Sequence, residues 1–139
     1  MRAVAAPFVV LVLEDDAFIR GDIVNAFKDN GWTVLDHASG EAALEGLNGR
    51  RVDALFTDIQ LAGKMDGWDV AQALRKTSPD LPVVYASGNT ADRRRRVAGS
   101  LFFDKPYLPA DIVSACFRLV ERGRAGGSGV RVNATGSPF

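Results

Sequence analysis

The feature of this 139-residue sequence that most restricts its fold is the alternation of short apolar runs with segments of helical periodicity. The first run, FVVLVL at residues 8–13, is continuously apolar and rich in β-branched residues, as in a strand that is buried on both faces. Four further runs of this kind lie at residues 33–35, 54–57, 82–86 and 101–103. The pattern predicts an α/β fold in which helices cover both faces of a five-stranded parallel sheet.

The intervals between the apolar runs carry the helical periodicity. We expect four helices of ordinary length, over residues 16–30, from Ser39 to about Gly49, over 66–76 and from Pro109 to about 122. A further short helix is expected within ADRRRRVA, between the fourth and fifth strands. Right-handed crossovers leave few topologies, and the flavodoxin-like three-layer sandwich with strand order 2-1-3-4-5 fits best. This order places a crevice at the carboxyl ends of strands 1 and 3.

The composition is that of an ordinary globular protein. The 17 basic and 17 acidic residues cancel, so charge gives no support for direct DNA binding or for attachment to a membrane surface. No apolar stretch is long enough to span a bilayer, and the first apolar run continues into acids, so we expect a strand of a cytoplasmic protein rather than a signal peptide. The single cysteine, Cys116, excludes an internal disulfide. We predict one domain over residues 7–122 and a flexible tail, rich in glycine and serine, over 123–139.

Chemically useful side chains stand at the ends of four predicted strands: Glu14 and Asp15 after the first, Asp58 on the third, Ser87 on the fourth and Lys105 after the fifth. In a parallel sheet these ends share one edge, so the three carboxylates should converge on the crevice. Their mutual repulsion could be relieved by partial protonation or by a divalent cation. Oxygen ligands without cysteine or histidine favour Mg²⁺. A carboxylate nucleophile, a metal, a lysine and a hydroxyl donor suit the arrival of a phosphoryl group on Asp58.

Each of these residues also has an ordinary structural explanation. Polar residues follow buried strands in most α/β proteins, and an aspartate at such a point often only caps the next helix. The functional interpretation therefore depends on the set, because an acidic cluster, a terminal aspartate, a small hydroxyl and a Lys-Pro pair occur in order on four different strands.

Four motifs carry a resemblance to a known family: VLVLEDDAFIR, FTDIQLAGKMDGWDVA, VVYASGN and FFDKPY. Over residues 7–122 the chain resembles the response-regulator receiver domain, the CheY-like fold. The resemblance implies that Asp58 accepts a phosphoryl group from a histidine kinase or a histidine phosphotransfer protein. It also implies that Glu14 and Asp15 hold Mg²⁺ together with Asp58 and the backbone carbonyl of Gln60.

The same resemblance implies which residues would change conformation on phosphorylation. Ser87 is the switch hydroxyl that moves to the phosphoryl oxygen, and Lys105 pairs with the same group. Phe102 occupies the aromatic switch position that turns inward when Ser87 moves. In this family Pro106 commonly follows the lysine through a cis peptide bond. Asn89 and Gln60 flank the acceptor at positions that tune hydrolysis of the acyl phosphate.

The chain departs from the family pattern in three places. The loop between Asp58 and Asp66 is one residue longer than usual, and Ala62 replaces a frequent proline. Phe102 lacks the hydroxyl of the tyrosine that is common at this position, which would favour its inward state. The arginine run at 93–96 is expected to be a solvated helix face. In the family the fourth helix, fifth strand and fifth helix form the output surface, so a basic fourth helix there would select an acidic target or a homodimer partner.

We therefore expect a stand-alone phosphorylation switch that acts on a downstream protein target, with no output domain. It would not be an enzyme, because it would catalyse only its own phosphorylation and slow dephosphorylation. One alternative is a pseudo-receiver that binds proteins independently of phosphorylation. Another is a phosphatase of the haloacid-dehalogenase kind, but those enzymes usually carry a general acid two residues after the nucleophile, where this chain has Gln60.

Overall fold

Strands and helices alternate along the chain as the sequence pattern predicts. A computed structural model of the protein describes residues 8–88 and 93–127, and the backbone at 133–134 and 137–138. The strands of the main sheet are β1 (Val9–Leu13), β2 (Thr33–His37), β3 (Ala54–Asp58), β4 (Val83–Ser87) and β5 (Leu101–Asp104). The α-helices are α1 (Ala17–Asp29), α2 (Gly40–Leu47), α3 (Gly67–Thr77) and α4 (Pro109–Gly127).

The five strands form one parallel sheet in the order β2-β1-β3-β4-β5, which confirms the predicted flavodoxin-like topology. The order reverses between β1 and β3, which are neighbours although β2 lies between them in sequence. Leu13 pairs with Thr57 in this register, so the residues that follow the two strands emerge side by side. The crevice expected at the carboxyl ends of β1 and β3 is thereby formed.

Alternating residues of each strand build two separate hydrophobic cores, one on each face of the sheet. Val10, Val12 and Phe56 face the core that includes residues of α1 and α4. Leu11 and Leu55 face the core that includes residues of α2 and α3. The central strands are buried on both sides, so packing on both faces positions the polar residues at their carboxyl ends.

Side-chain caps fix where three helices begin. The Asp16 carboxylate accepts the backbone N–H groups of Phe18 and Ile19, so the third acid of the EDD sequence is a helix cap. Ser39 caps α2, as predicted from its position. The first turn of α3 carries a reciprocal capping box between Asp66 and Asp69.

The segment between β4 and β5 differs from the prediction. Among the described residues it forms only a 3₁₀ turn, η1 (Arg93–Arg95), in place of the expected short α-helix. Of the described residues in this stretch only Val97 packs on the core, which is too little burial to stabilise a helix of several turns. The predicted dimerisation face would therefore consist of η1, β5 and α4, and its use stays a prediction.

The last helix is longer than expected. α4 continues to Gly127, five residues past the end predicted at residue 122, since a helix that is already packed on the sheet propagates at little cost. The domain boundary at 122 itself stays a prediction.

Asn133–Ala134 pairs with Ser137–Pro138 in a short antiparallel ladder. None of the described helices has the length and apolar character needed to cross a membrane.

Candidate functional site

The three predicted acidic residues meet at the switch-point crevice. Glu14 and Asp15 follow β1, and Asp58 is the last residue of β3. One carboxylate oxygen from each residue lies within 4.8 Å of those of the other two. The side chains differ in burial, since Glu14 is 1% and Asp58 5% exposed whereas Asp15 is exposed. The cluster therefore combines two desolvated carboxylates with one that faces water.

Burial makes Glu14 an unusual carboxyl group. Its desolvation, together with the negative charge of Asp58, raises its pKa from 4.5 to about 7. Two hydrogen bonds act against this rise, one from the backbone N–H of Asp16 at 3.1 Å and one from the ammonium of Lys105. The net effect is that Glu14 binds a proton more tightly in the folded protein than a free glutamate does.

Lys105 is the counter-ion of the buried pair. Its Nζ donates to Asp58 Oδ2 at 2.7 Å and to Glu14 Oε1 at 3.1 Å. The backbone N–H of Lys105 donates to the carbonyl of Ser87 at 2.9 Å, and the following peptide bond to Pro106 is cis, as the family resemblance implies. Partial burial of the ammonium lowers its pKa, but the two carboxylates outweigh this effect and raise it overall.

The charges and donor atoms of the site fit a divalent cation. Fully ionised, the three clustered carboxylates and one ammonium leave a net charge of −2, which a divalent ion would neutralise. The donor set consists of oxygen atoms, as Mg²⁺ prefers, with no histidine or thiol.

The remaining predicted site residues lie around Asp58. The Gln60 side chain is exposed, and its backbone N–H donates weakly to Asp58 Oδ1 at 3.4 Å. Ser87 is 4% exposed at the end of β4, one strand away from the acceptor. Asp58 pairs with Ala86 in the sheet register, which brings the Ser87 backbone next to the site. Asn89 lies outside the described residues.

Phe102 lies in an aromatic cluster on β5. Its ring stacks on Trp68 with a centroid separation of 6.0 Å and an interplanar angle of 26°, and it lies 6.2 Å from the ring of Tyr85. The guanidinium of Arg93 lies over the Phe102 ring, 3.8 Å from its centroid, and also bonds Asp104 at 2.9 Å. The ring is half-buried in this arrangement. Its role as a switch stays a prediction.

The arginines at 93–96 are all exposed, as expected for a solvated face, but they also make specific contacts, such as the bond from Arg96 to the Ser100 hydroxyl at 3.1 Å. Arg93 engages Phe102 as described, and Arg95 reaches the capping box at the start of α3. The Arg95 guanidinium donates to Asp69 at 2.8 Å, to Asp66 at 3.3 Å and to the Gln72 side chain at 3.0 Å. These bonds connect the segment between β4 and β5 to the first turn of α3.

Sequence reasoning missed two residues beside the site. In the part of the chain that the structure describes, the hydroxyl oxygen of Tyr107 is the buried side-chain polar atom that lacks a hydrogen-bond partner. Burial and the negative charges of Glu14 and Asp58 raise the pKa of this hydroxyl. Glu41, on α2, bonds the loop that follows Asp58. Only the position of Tyr107 directly after the Lys-Pro pair could have drawn attention to it; no sequence signal marks Glu41.

Comparison with known proteins identifies the family. The model of the response regulator receiver domain matches residues 10–116. Sensor kinase CckA of Brucella abortus is 32% identical over 119 residues, which cover 81% of this chain and 12% of that protein. Response regulator MprA of Mycobacterium ulcerans is 34% identical over 100 residues, which cover 72% of this chain and 42% of that protein. The chain thus spans less than half the length of either relative.

Solved structures agree with this result. A response regulator receiver protein from Sinorhizobium medicae superposes with a TM-score of 0.78 at 31% identity, covering 83% of this chain and 95% of that one. A CheY-like receiver domain protein from Methanospirillum hungatei shares the fold, with a TM-score of 0.78 at 17% identity and coverage of 88% and 100%. With the family match over most of its length and the topology described above, this chain belongs to the response regulator receiver domain family of two-component signalling.

Proposed function

We propose that this receiver domain is a phosphorylation-dependent switch in which Asp58 accepts a phosphoryl group. The observation that carries the proposal is the contact of Lys105 with Asp58 at 2.7 Å, directly beside the carboxylates of Glu14 and Asp15. A merely structural aspartate at a strand end would cap a helix, as Asp16 does, and would not be paired with a lysine inside an acidic cluster. The phosphoryl donor is a histidine kinase or a histidine phosphotransfer protein.

The residues of the site divide the chemistry among them. Glu14, Asp15, Asp58 and the backbone carbonyl of Gln60 would hold Mg²⁺, which supplies positive charge for the oxygens of the transferring group when it is bound. A carboxylate oxygen of Asp58 attacks phosphorus, and the bond from phosphorus to the donor breaks as the new O–P bond forms. Lys105 exchanges its contact with the Asp58 carboxylate for one with an incoming phosphoryl oxygen, which keeps its charge paired throughout.

The response to phosphorylation would pass through Ser87 and Phe102. Ser87 ends β4 beside Asp58, and it pairs in register with Asp104 on β5, two residues after Phe102. A movement of the Ser87 hydroxyl toward the phosphoryl group would therefore alter the packing on the strand that carries the aromatic ring. The altered β5 surface is then recognised by a downstream protein. The chain acts as a signalling protein and not as an enzyme for an external substrate.

An apolar surface beside the site suits a protein phosphodonor. Phe18 on α1 is 89% exposed and Leu108 before α4 is 66% exposed, so two large apolar side chains face solvent here. Between the elements that carry them runs a groove of about 380 Å³ whose lining includes Ile19, Ile23 and Tyr107. A helical donor could cover this surface while its phosphohistidine reaches Asp58 over the Asp15 side of the crevice.

Beryllofluoride, a tetrahedral mimic of the phosphoryl group, tests the proposal. We expect the protein to bind it in the presence of Mg²⁺, with a change in the fluorescence of Trp68, and to lose this binding in Asp58→Asn. The matched control is Asp80→Asn, which removes an exposed acid at the opposite edge of the sheet and should bind normally. Binding that persists in Asp58→Asn, or that does not need Mg²⁺, would contradict the proposal.

A further inference from the structure

The loop that joins β3 to α3 determines where the chain runs directly after Asp58. Its first residue is fixed, because Ile59 donates to the carbonyl of Ala86 at 3.1 Å and accepts from the N–H of Gly67 at 2.7 Å. Eight residues, 59–66, separate the end of β3 from the start of α3. A loop of this length beside a reactive group has many conformations to lose, so further contacts are needed to hold one of them.

Those contacts come from α2. The backbone N–H of Ala62 donates to the carbonyl of Ala38 at 3.2 Å, just before the helix begins. One oxygen of the Glu41 carboxylate, Oε2, accepts the N–H of Lys64 at 2.8 Å and the N–H of Met65 at 3.2 Å. Glu41 thus fixes the far side of the loop, and only Gln60 and Leu61 lie between the two fixed parts.

A glycine makes room for this arrangement. Gly63 has φ +85°, a left-handed conformation that glycine adopts without strain. A Cβ at this position would lie 2.6 Å from Glu41 Oε1, so any larger residue would push the carboxylate away. The hydrogen bonds, first the one from Lys64, lower the pKa of Glu41 although the side chain is exposed. The carboxylate is therefore ionised at neutral pH and committed to the loop backbone.

We infer that Glu41 is a positioning residue for the metal site, because it holds the loop in the path that presents the Gln60 carbonyl to the ion bound by Asp58. The inference rests on the proposed function and deepens it. Glu41 does not contact the ion or the phosphoryl group; it acts through the backbone of residues 60–65. Groups outside the first coordination sphere that orient ligands in this way commonly change metal affinity by a factor of 10 to 100.

The first experiment measures Mg²⁺ affinity by calorimetry for the wild type, Glu41→Ala, Glu41→Gln and Glu45→Ala. We expect about a tenfold weaker affinity in Glu41→Ala. Glu41→Gln should lie between this variant and the wild type, because an amide oxygen still accepts N–H groups but without the charge. Glu45→Ala is the matched control, since it removes an exposed glutamate from the same helix that bonds none of the loop N–H groups, and its affinity should not change.

A kinetic readout separates positioning from general loss of structure. At saturating Mg²⁺ the rate of phosphorylation by acetyl phosphate should return to within about twofold of the wild type in Glu41→Ala, because the bound ion itself then holds the loop. Gly63→Ala, which displaces the carboxylate from the other side, should weaken Mg²⁺ binding as well. In the double variant, the loss of Mg²⁺ binding free energy should be smaller than the sum of the two single losses, because both changes break the same contact.

Hydrogen exchange without Mg²⁺ tests the anchor independently. The amides of Lys64 and Met65 should lose protection in Glu41→Ala and keep it in Glu45→Ala. If the wild type binds Mg²⁺ and Glu41→Ala binds it equally well, the inference is overturned while the proposed function stands. If the wild type does not bind Mg²⁺ at all, the proposed function fails, and the inference fails with it.

Discussion

Glu14→Gln should stabilise the metal-free protein while it removes function. The folded protein raises the pKa of this carboxyl from 4.5 to about 7, so the folded state binds the proton more tightly than the unfolded state does. The stability that Glu14 contributes is therefore fully present below about pH 4.5 and is lost as the pH rises toward 7. At pH 8 the ionised, 1% exposed carboxylate costs about 3 kcal/mol, because each unit of pKa difference corresponds to about 1.4 kcal/mol.

A neutral glutamine does not have this cost. Glutamine also alters the hydrogen bonds that Glu14 makes with Asp16 and Lys105. This alteration adds a term to the stability difference between the two proteins, and that term does not depend on pH. The pH dependence of the difference is therefore the diagnostic quantity. The free energy of unfolding of the variant, relative to the wild type, should rise by about 2 kcal/mol between pH 5 and pH 8.

The assay is urea denaturation of both proteins at several pH values in the presence of a chelator. Asp15→Asn is the control, because it removes an acid of the same cluster from an exposed position and should show a smaller pH dependence. Added Mg²⁺ should stabilise the wild type and not Glu14→Gln. A difference in stability between the two proteins that stays constant from pH 5 to pH 8 would refute the reasoning about the buried carboxylate.

Two further variants separate the chemistry from the recognition of a donor. Lys105→Ala should slow phosphorylation by acetyl phosphate about 100-fold, because it removes the ammonium that meets the phosphoryl oxygens, while Mg²⁺ binds more tightly to carboxylates that have lost their counter-ion. Slower phosphorylation with weaker Mg²⁺ binding would instead indicate a disrupted site. Phe18→Ala should slow transfer from a histidine phosphotransfer protein about tenfold through the lost apolar contact, with acetyl phosphate used at the wild-type rate. Equal slowing with both donors would contradict a docking role for this residue.

The sheet and the cluster could be predicted because both follow from strong local patterns. Continuous apolar runs such as residues 8–13 have few structural solutions, and the right-handed crossover rule leaves few possible strand orders. Once that order is known, the convergence of Glu14 and Asp58 follows from geometry alone, without any knowledge of side-chain contacts.

The contacts that were missed depend on long-range packing. Arg93 and Arg95 lie in a charged run whose sequence is typical of a solvated face, yet Phe102 and the first turn of α3 lie within their reach. Glu41 and Gly63 are 22 residues apart, and neither forms a motif by itself. The 3₁₀ turn before β5 was also not predictable from local sequence, because the length of this element depends on how much apolar surface the segment buries in the folded protein.

The most direct test of the central claim is the intact mass of the protein after incubation with acetyl phosphate, with and without Mg²⁺, beside Asp58→Asn. The account predicts one added phosphoryl group in the wild type that requires Mg²⁺ and is absent in the variant. An unchanged mass in the wild type, or an adduct that persists in Asp58→Asn, would contradict the assignment of Asp58 as the acceptor.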